Sequence, residues 1–189
     1  MPSVFEQNAV YLQSGDPTNE NVASLMEPGQ LGVRFSMQHP VSRASAANPP
    51  KTKRFQIVKV DAAAATAVKA GQPAYWSDRP NYVVTTAGGT LLNQVAGVFN
   101  NVITRGNYGC IQIGGQALVR ASDANVTAAV AGADILVGGA TDLAVLVAAG
   151  TAPGTVALGT VANPKVTDVT GGTGNQKVLV DLTLAPEAL

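Results

Sequence analysis

From Phe55 onward, short apolar runs alternate with Gly, Asn and Asp residues at intervals of about ten residues, the spacing of a chain of short strands. The predicted strands are FQIVKV, PAYW, NYVVTT, VAGVF, CIQI, ALVRA, DILV, LAVLV, TVALGTV and KVLVDLTL. Many short strands separated by turn residues are typical of sandwiches and barrels. The pattern therefore predicts an all-β fold with a compact barrel-like or sandwich-like body.

Alternation is clearest in the last predicted strand, residues 177–184. One face is aliphatic and consists of Val178, Val180, Leu182 and Leu184. The other face carries Lys177, Asp181 and Thr183 along with Leu179. Since successive side chains of a strand point to opposite faces, this strand should bury one face and expose most of the other, as in antiparallel sheets.

Residues 1–54 have a different character, with prolines at positions 2, 17, 28, 40, 49 and 50. Proline has no amide hydrogen and is poorly tolerated in helices and central strands. We interpret residues 1–54 as an extended N-terminal interaction arm, with a short strand candidate at LGVRFS, and residues 55–189 as the β-rich body.

The body contains a weak internal repeat. Placing AVKAGQPAYW over AAVAGADILV aligns Gly71 with Gly132. The predicted units are residues 55–101 and 110–163, and the strand at residues 177–184 completes the second.

Glycines concentrate in GNYGCIQIGGQALV, residues 106–119. Gly106 and Asn107 both tolerate positive φ, so they predict a tight turn between the units. Gly114 and Gly115 should break or bulge the strand, which lets CIQI and QALVRA lie in different parts of a curved sheet.

Charge is balanced overall, with 12 basic and 12 acidic residues, and this argues against nucleic acid as the main partner. Its distribution is uneven: residues 1–30 hold four acids and no base, whereas residues 31–60 hold six bases and no acid. No apolar run approaches the roughly 20 residues of a membrane span. The N-terminus lacks a signal-peptide pattern, which favours synthesis in the cytoplasm.

Apolar residues in the acidic arm are spaced as anchors for contact with a partner, chiefly Phe5, Tyr11, Leu12, Leu25 and Met26. Basic residues follow at Arg34, Lys51, Lys53 and Arg54. The basic segment NPPKTKR, residues 48–54, is either a solvated linker or a contact for an acidic surface, such as the first thirty residues of a neighbouring copy.

Candidate chemistry is sparse. The one histidine, His39, precedes a proline and has no acid nearby in the sequence, so we interpret it as a surface or interface residue. Cys110 is the single cysteine, so it cannot form an internal disulfide, and we interpret it as a small buried apolar residue. Aspartates fall at predicted turns and edges. We expect no enzymatic activity, no cofactor and no metal.

Aromatic residues cluster in PAYWSDRPNY, which holds Tyr75, Trp76 and Tyr82. Such rings can stack on sugars or anchor a protein partner. Strand alternation instead predicts that Tyr75 or Trp76 points into the core, and we favour this interpretation.

The segment AGVFNNVITRGNYGCIQIGGQALV, residues 96–119, resembles a pattern in head decoration proteins of tailed bacteriophages, which are also called capsid cement proteins. The upstream AGQPAYWSD and the terminal KVLVDL are similar to strands of that family, and the arm is unmatched. The resemblance implies a β-rich module on the outer capsid surface of the virion. Such a module sits between major capsid subunits and resists the pressure of packaged DNA.

Together these observations predict a virion structural protein that stabilises the capsid by bridging major capsid subunits. The expected partners are the major capsid protein and neighbouring copies of this chain, with a trimer as one candidate assembly. The alternative is a carbohydrate-binding or host-surface-binding module of a head or tail fibre.

Overall fold

A computed structural model describes residues 30–38, 52–64, 68–86, 94–121, 135–138, 144–147, 157–163, 177–182 and 184. Strands account for 67% of the part described, and it contains no α-helix. Within these ranges there is therefore also no helix long and apolar enough to span a bilayer. The prediction of an all-β fold is confirmed.

The strands, in chain order, are β1 (Arg34–Gln38), β2 (Thr52–Val60), β3 (Pro73–Asp78), β4 (Val83–Thr85), β5 (Val95–Phe99), β6 (Tyr108–Arg120), β7 (Ile135–Gly138), β8 (Ala144–Val147), β9 (Ala157–Asn163) and β10 (Lys177–Leu182). Strands β2 to β10 all fall on predicted apolar runs. The runs CIQI and ALVRA, predicted as separate strands, are two halves of β6.

Five strands close into a barrel in the order β2-β4-β3-β5-β6, because β6 pairs with β2 as well as with β5. The β2–β4 pair is parallel, and the other four pairs are antiparallel. Small barrels fill their interior with side chains. Here the interior cluster is Val58, Val60, Ala64, Val68, Ala74, Trp76, Val84, Ala96, Phe99, Ile103 and Ile111.

A second sheet extends from the barrel in the order β6-β10-β9-β7-β8, with antiparallel neighbours throughout. Its inner face packs against the barrel through a cluster that joins Tyr75, Val95 and Val98 to Val119, Leu158, Val161, Val178 and Val180. In β10, Val178 and Val180 are fully buried whereas Asp181 is exposed, so the predicted alternation is confirmed.

Strand β6 belongs to both sheets and changes partner at its glycine pair. Residues Tyr108 to Gly114 pair with β2, and residues Gly115 to Arg120 pair with β10. Gly115 has φ of 77°, and the β2–β6 register shifts beside Gly114. The predicted bulge at this pair, with CIQI and QALVRA in different parts of the sheet, is confirmed, but the two runs form one continuous strand.

Strand β1 pairs antiparallel with the first half of β2, on the edge that β4 occupies further along. The short strand predicted at LGVRFS is therefore present from Arg34. The predicted tight turn before β6 is also confirmed, because Gly106 has φ of 80° and the Asn107 amide donates to the Thr104 carbonyl at 3.1 Å.

Candidate interaction surface

The described end of the basic segment, residues 52–54, is part of the sheet. Thr52, Lys53 and Arg54 are the first residues of β2, and they pair with Gln38, Met37 and Ser36 of β1. Arg54 also pairs with Gly114 on the opposite edge. The interpretation of residues 52–54 as a solvated linker is therefore wrong. Lys51 lies outside the described residues.

Charged residues line one face where β1 meets β2. Arg34, Ser36 and Arg54 are exposed, and Ser36 lies opposite Arg54 in the register. The Arg54 guanidinium lies over Gly114 and occupies the space that a side chain at position 114 would fill. Two of the predicted basic residues, Arg34 and Arg54, are thus brought together on an exposed face near the sheet edge.

Alternate residues of β2 form a strip on its other face, outside the barrel. This outer strip consists of Lys53, Phe55, Ile57 and Lys59. Phe55 and Ile57 are buried in a cluster with Cys110, against which Val33, Phe35 and Tyr108 pack. The Phe35 and Phe55 rings stack with centroids 5.4 Å apart. The strip is thus apolar in its middle.

A lysine stands at each end of the outer strip. The Lys59 ammonium lies 5.7 Å from the centroid of the Tyr108 ring, within the range of a cation–π contact. Lys53 is half-buried, and burial lowers the pKa of its ammonium below the ordinary value because desolvation disfavours the charged form. Sequence reasoning included Lys53 but missed Lys59, which only the strand alternation places on the same face.

The arm anchors Phe5, Tyr11, Leu12, Leu25 and Met26 lie outside the described residues, as do His39 and Gly132. Gln30, the first described residue, opens a turn in which the Val33 amide donates to the Gln30 carbonyl at 3.1 Å. The Gly32 amide then donates to the Ile57 carbonyl at 2.9 Å. The chain therefore reaches the body beside the middle of the outer strip.

The aromatic group does not form a surface platform. Tyr75 and Trp76 are 0% and 2% exposed, Tyr75 in the cluster between the sheets and Trp76 inside the barrel. Tyr82 is half-buried and meets Trp76 edge to face at 6.3 Å between centroids. We expected one of Tyr75 and Trp76 to be buried. Both are buried because β3 is covered on both faces, so neither ring offers a face to a ligand.

Gly71, predicted as a turn residue, has φ of 88° and lies close to Leu118 and Arg120 of β6. Its amide donates to the Phe99 carbonyl at 2.7 Å, and its carbonyl accepts from the Arg120 amide at 2.7 Å. The glycine therefore continues the hydrogen bonding of β5 and β6 at the point where those strands separate.

Two of the three described carboxylates, Asp61 and Asp78, make local hydrogen bonds. Asp61 accepts from the Ala63 amide at 2.9 Å, and Asp78 accepts from the Asn81 side chain at 2.8 Å. Such bonds are typical of turns. Within the described ranges, no group of three or more metal-ligating side chains comes together.

Comparison with known proteins adds no relative, because no family model, no curated protein and no solved structure matches the chain.

Proposed function

We propose that this chain is a bacteriophage virion structural protein that binds the outer surface of the capsid and stabilises it by bridging major capsid subunits. The observation that carries the proposal is the position of β1. This strand lies within the segment predicted as the arm, residues 1–54, and at one end of the strand order. In the described part of the chain it pairs with β2 alone.

An edge strand is a ready site for a partner because its outer backbone groups can extend the sheet. The exposed basic side chain of Arg34 lies on this edge strand, and exposed Arg54 lies on the neighbouring strand with its guanidinium over Gly114. Both charges favour an acidic protein surface. The same edge is continuous with the arm, so one copy could contact the shell at two separated points. Multiple contacts per copy raise the avidity without any single strong site.

The resemblance in residues 96–119 supports the same proposal from another direction. This segment comprises most of β5, the turn at Gly106 and most of β6, which is the strand shared by both sheets. The matched residues are therefore those that build the body, and the arm and the β1 edge are the parts left for recognition. The carbohydrate-binding alternative has no such support, since Tyr75 and Trp76 are buried.

The test uses heads of the source phage assembled without this chain. Purified full-length protein is added back, and the particle mass gives the number of bound copies. Shell-wide occupancy and greater resistance of the heads to heat are expected. Absence of binding, or occupancy limited to a few copies per head, would overturn the proposal.

Charge reversal tests the surface itself. Arg34→Glu with Arg54→Glu should weaken head binding, and the difference from wild type should shrink as salt is raised. The matched control is Lys69→Glu with Arg79→Glu, which reverses two exposed charges elsewhere on the body. Equal head affinities for the two double variants would show that the β1 edge is not part of the binding surface.

A further inference from the structure

The hydrogen bonds of β1 show which of its residues face away from β2. The Ile57 amide donates to the Val33 carbonyl at 3.0 Å. Because backbone groups alternate in direction along an antiparallel pair, the odd-numbered residues of β1 bond to β2. The even-numbered residues direct their amide and carbonyl groups to the other side, and these are Arg34, Ser36 and Gln38.

Strand β2 shows the matching alternation further along. The Lys59 amide donates to the Tyr82 carbonyl at 3.0 Å, on the edge that β1 and β4 share. The Val60 amide instead donates to the Asn107 carbonyl at 2.9 Å, on the β6 side. The odd-numbered residues of β2 thus serve the β1 side, and in the register they lie opposite the odd-numbered residues of β1.

The outward groups of β1 form a row to which a further strand can bond. Among the described strands, only β2 pairs with β1. Amide and carbonyl groups along a sheet edge are those that an added strand uses. A strand added here would bond to the backbone of Arg34 and Ser36 and would leave the bonds between β1 and β2 in place.

The side chains of β1 indicate what such a strand should carry. Arg34 and Ser36 are exposed on one face, where Ser36 lies opposite Arg54 of β2. On the other face the Phe35 ring stacks on Phe55. Since the side chains of an added strand alternate between the same two faces, its residues beside Arg34 should be acidic and the intervening residues apolar.

On the basis of the proposed function, we infer that the shell subunit binds β1 through an extended segment in which acidic and apolar residues alternate. This segment becomes a further strand of the sheet, with its carboxylates on the face of Arg34 and Arg54. Residues 31–60 hold six bases and no acid, so the partner supplies the complementary charge. The backbone bonds set its register, and the charges select its sequence.

Ser36→Pro tests the backbone contact, because it removes one outward amide without removing a bond to β2. Proline is tolerated on edge strands where its nitrogen faces outward. Ser36→Ala keeps the amide and is the matched control. With full-length protein and heads assembled without this chain, Ser36→Pro should lower the affinity at least about ten-fold and Ser36→Ala less than about two-fold. The loss should persist in high salt because no charge changes. Equal affinities would overturn the added strand.

Hydrogen exchange of the wild-type protein makes the test independent of how well the proline variant folds. In the free protein the Arg34 and Ser36 amides should exchange quickly, and the Phe35 amide slowly because it bonds to β2. Binding to heads should protect the two outward amides. Unchanged exchange there would contradict the inference. Protection that grows with protein concentration in the absence of heads would assign the edge to a second copy instead.

A peptide separates this inference from the proposed function. The probe is a short peptide in which glutamate and valine alternate, added to ¹⁵N-labelled full-length protein without heads. Chemical-shift changes centred on β1 and slower exchange of the Ser36 amide are expected, and a peptide with lysine for glutamate should bind more weakly. Equal binding of the two peptides, or no binding, would overturn the acidic strand even if heads bind the protein. Heads that do not bind the wild-type protein would instead refute the shell as the partner, and with it the proposed function.

Discussion

The ring of Tyr82 lies directly against Gly32, so that a Cβ at position 32 would overlap the ring. Both residues have positive φ, 53° for Tyr82 and 81° for Gly32. The Tyr82 carbonyl accepts from the Lys59 amide at 3.0 Å, and the Gly32 amide donates to the Ile57 carbonyl at 2.9 Å. Two turns are thus fixed to one edge of β2, where the arm enters the body and the barrel closes.

Gly32→Ala should be among the more destabilising single changes in the chain. The left-handed backbone costs a non-glycine residue about 1–2 kcal/mol, and overlap with the Tyr82 ring adds about 1–3 kcal/mol. Denaturant unfolding measures the sum. Gly106→Ala is the matched control, because Gly106 has φ of 80° but its Cβ would find only Ala62 at 3.8 Å. Equal losses for the two variants would contradict a packing role for the contact.

The adjacent glycines of β6 should respond differently to alanine. Gly115 has φ of 77°, and its Cβ would overlap the backbone carbonyl of Thr52, so Gly115→Ala should cost about 3 kcal/mol. A Cβ at Gly114 meets only the flexible end of Arg54, so Gly114→Ala should cost less than about 1 kcal/mol. Thermal unfolding of both variants measures the two losses of stability. A larger loss for Gly114→Ala than for Gly115→Ala would contradict the assignment of Gly115 as the residue at which β6 must turn closely past β2.

The strands were predictable because the cues that define them are local. VAGVF is bounded by polar residues and forms β5. The alternation in residues 177–184 correctly predicted which face of β10 is buried. The glycine pair at 114 and 115 marked the place where β6 changes partner. Each of these inferences needed only residues close together in the chain.

Barrel closure and the outer strip were not predictable in this way. The parallel β2–β4 pair and the β2–β6 pair join residues far apart in sequence, and no local pattern specifies them. Alternation separated Tyr75 from Trp76 but could not show that a second layer covers the Tyr75 side. The place of Lys59 at the end of the outer strip likewise depends on Tyr108 and Phe35, which the fold brings to the same face from distant parts of the sequence.

Trp76 is the single tryptophan of the chain, which makes its fluorescence a specific probe of the barrel interior. It is 2% exposed, and its indole N–H has no hydrogen-bond partner. We expect blue-shifted emission, weak quenching by acrylamide and a red shift on unfolding. Added sugars should leave the emission unchanged. Strong quenching in the folded protein, or a saturable response to a glycan, would revive the carbohydrate-binding alternative.

Cys110 should make the stability fall at high pH. Burial raises the pKa of its thiol from 9.0 to about 12, because the thiolate is poorly solvated there. The folded state then keeps a proton that the unfolded state loses. The free energy of unfolding should therefore fall by about 1.4 kcal/mol per pH unit between the two pKa values, and be unaffected by this group below pH 9.0.

Comparison with Cys110→Ala isolates this effect from other groups that titrate in the same range. The variant loses some packing at every pH, but the difference between the two proteins should shrink as the pH rises above 9.0. A thiol reagent gives independent evidence, since Cys110 should react in denaturant and resist the reagent in the folded protein at pH 8. A constant stability difference up to pH 11, or rapid labelling of the native chain, would show that the thiol is less buried than its place beside Phe55 and Ile57 requires.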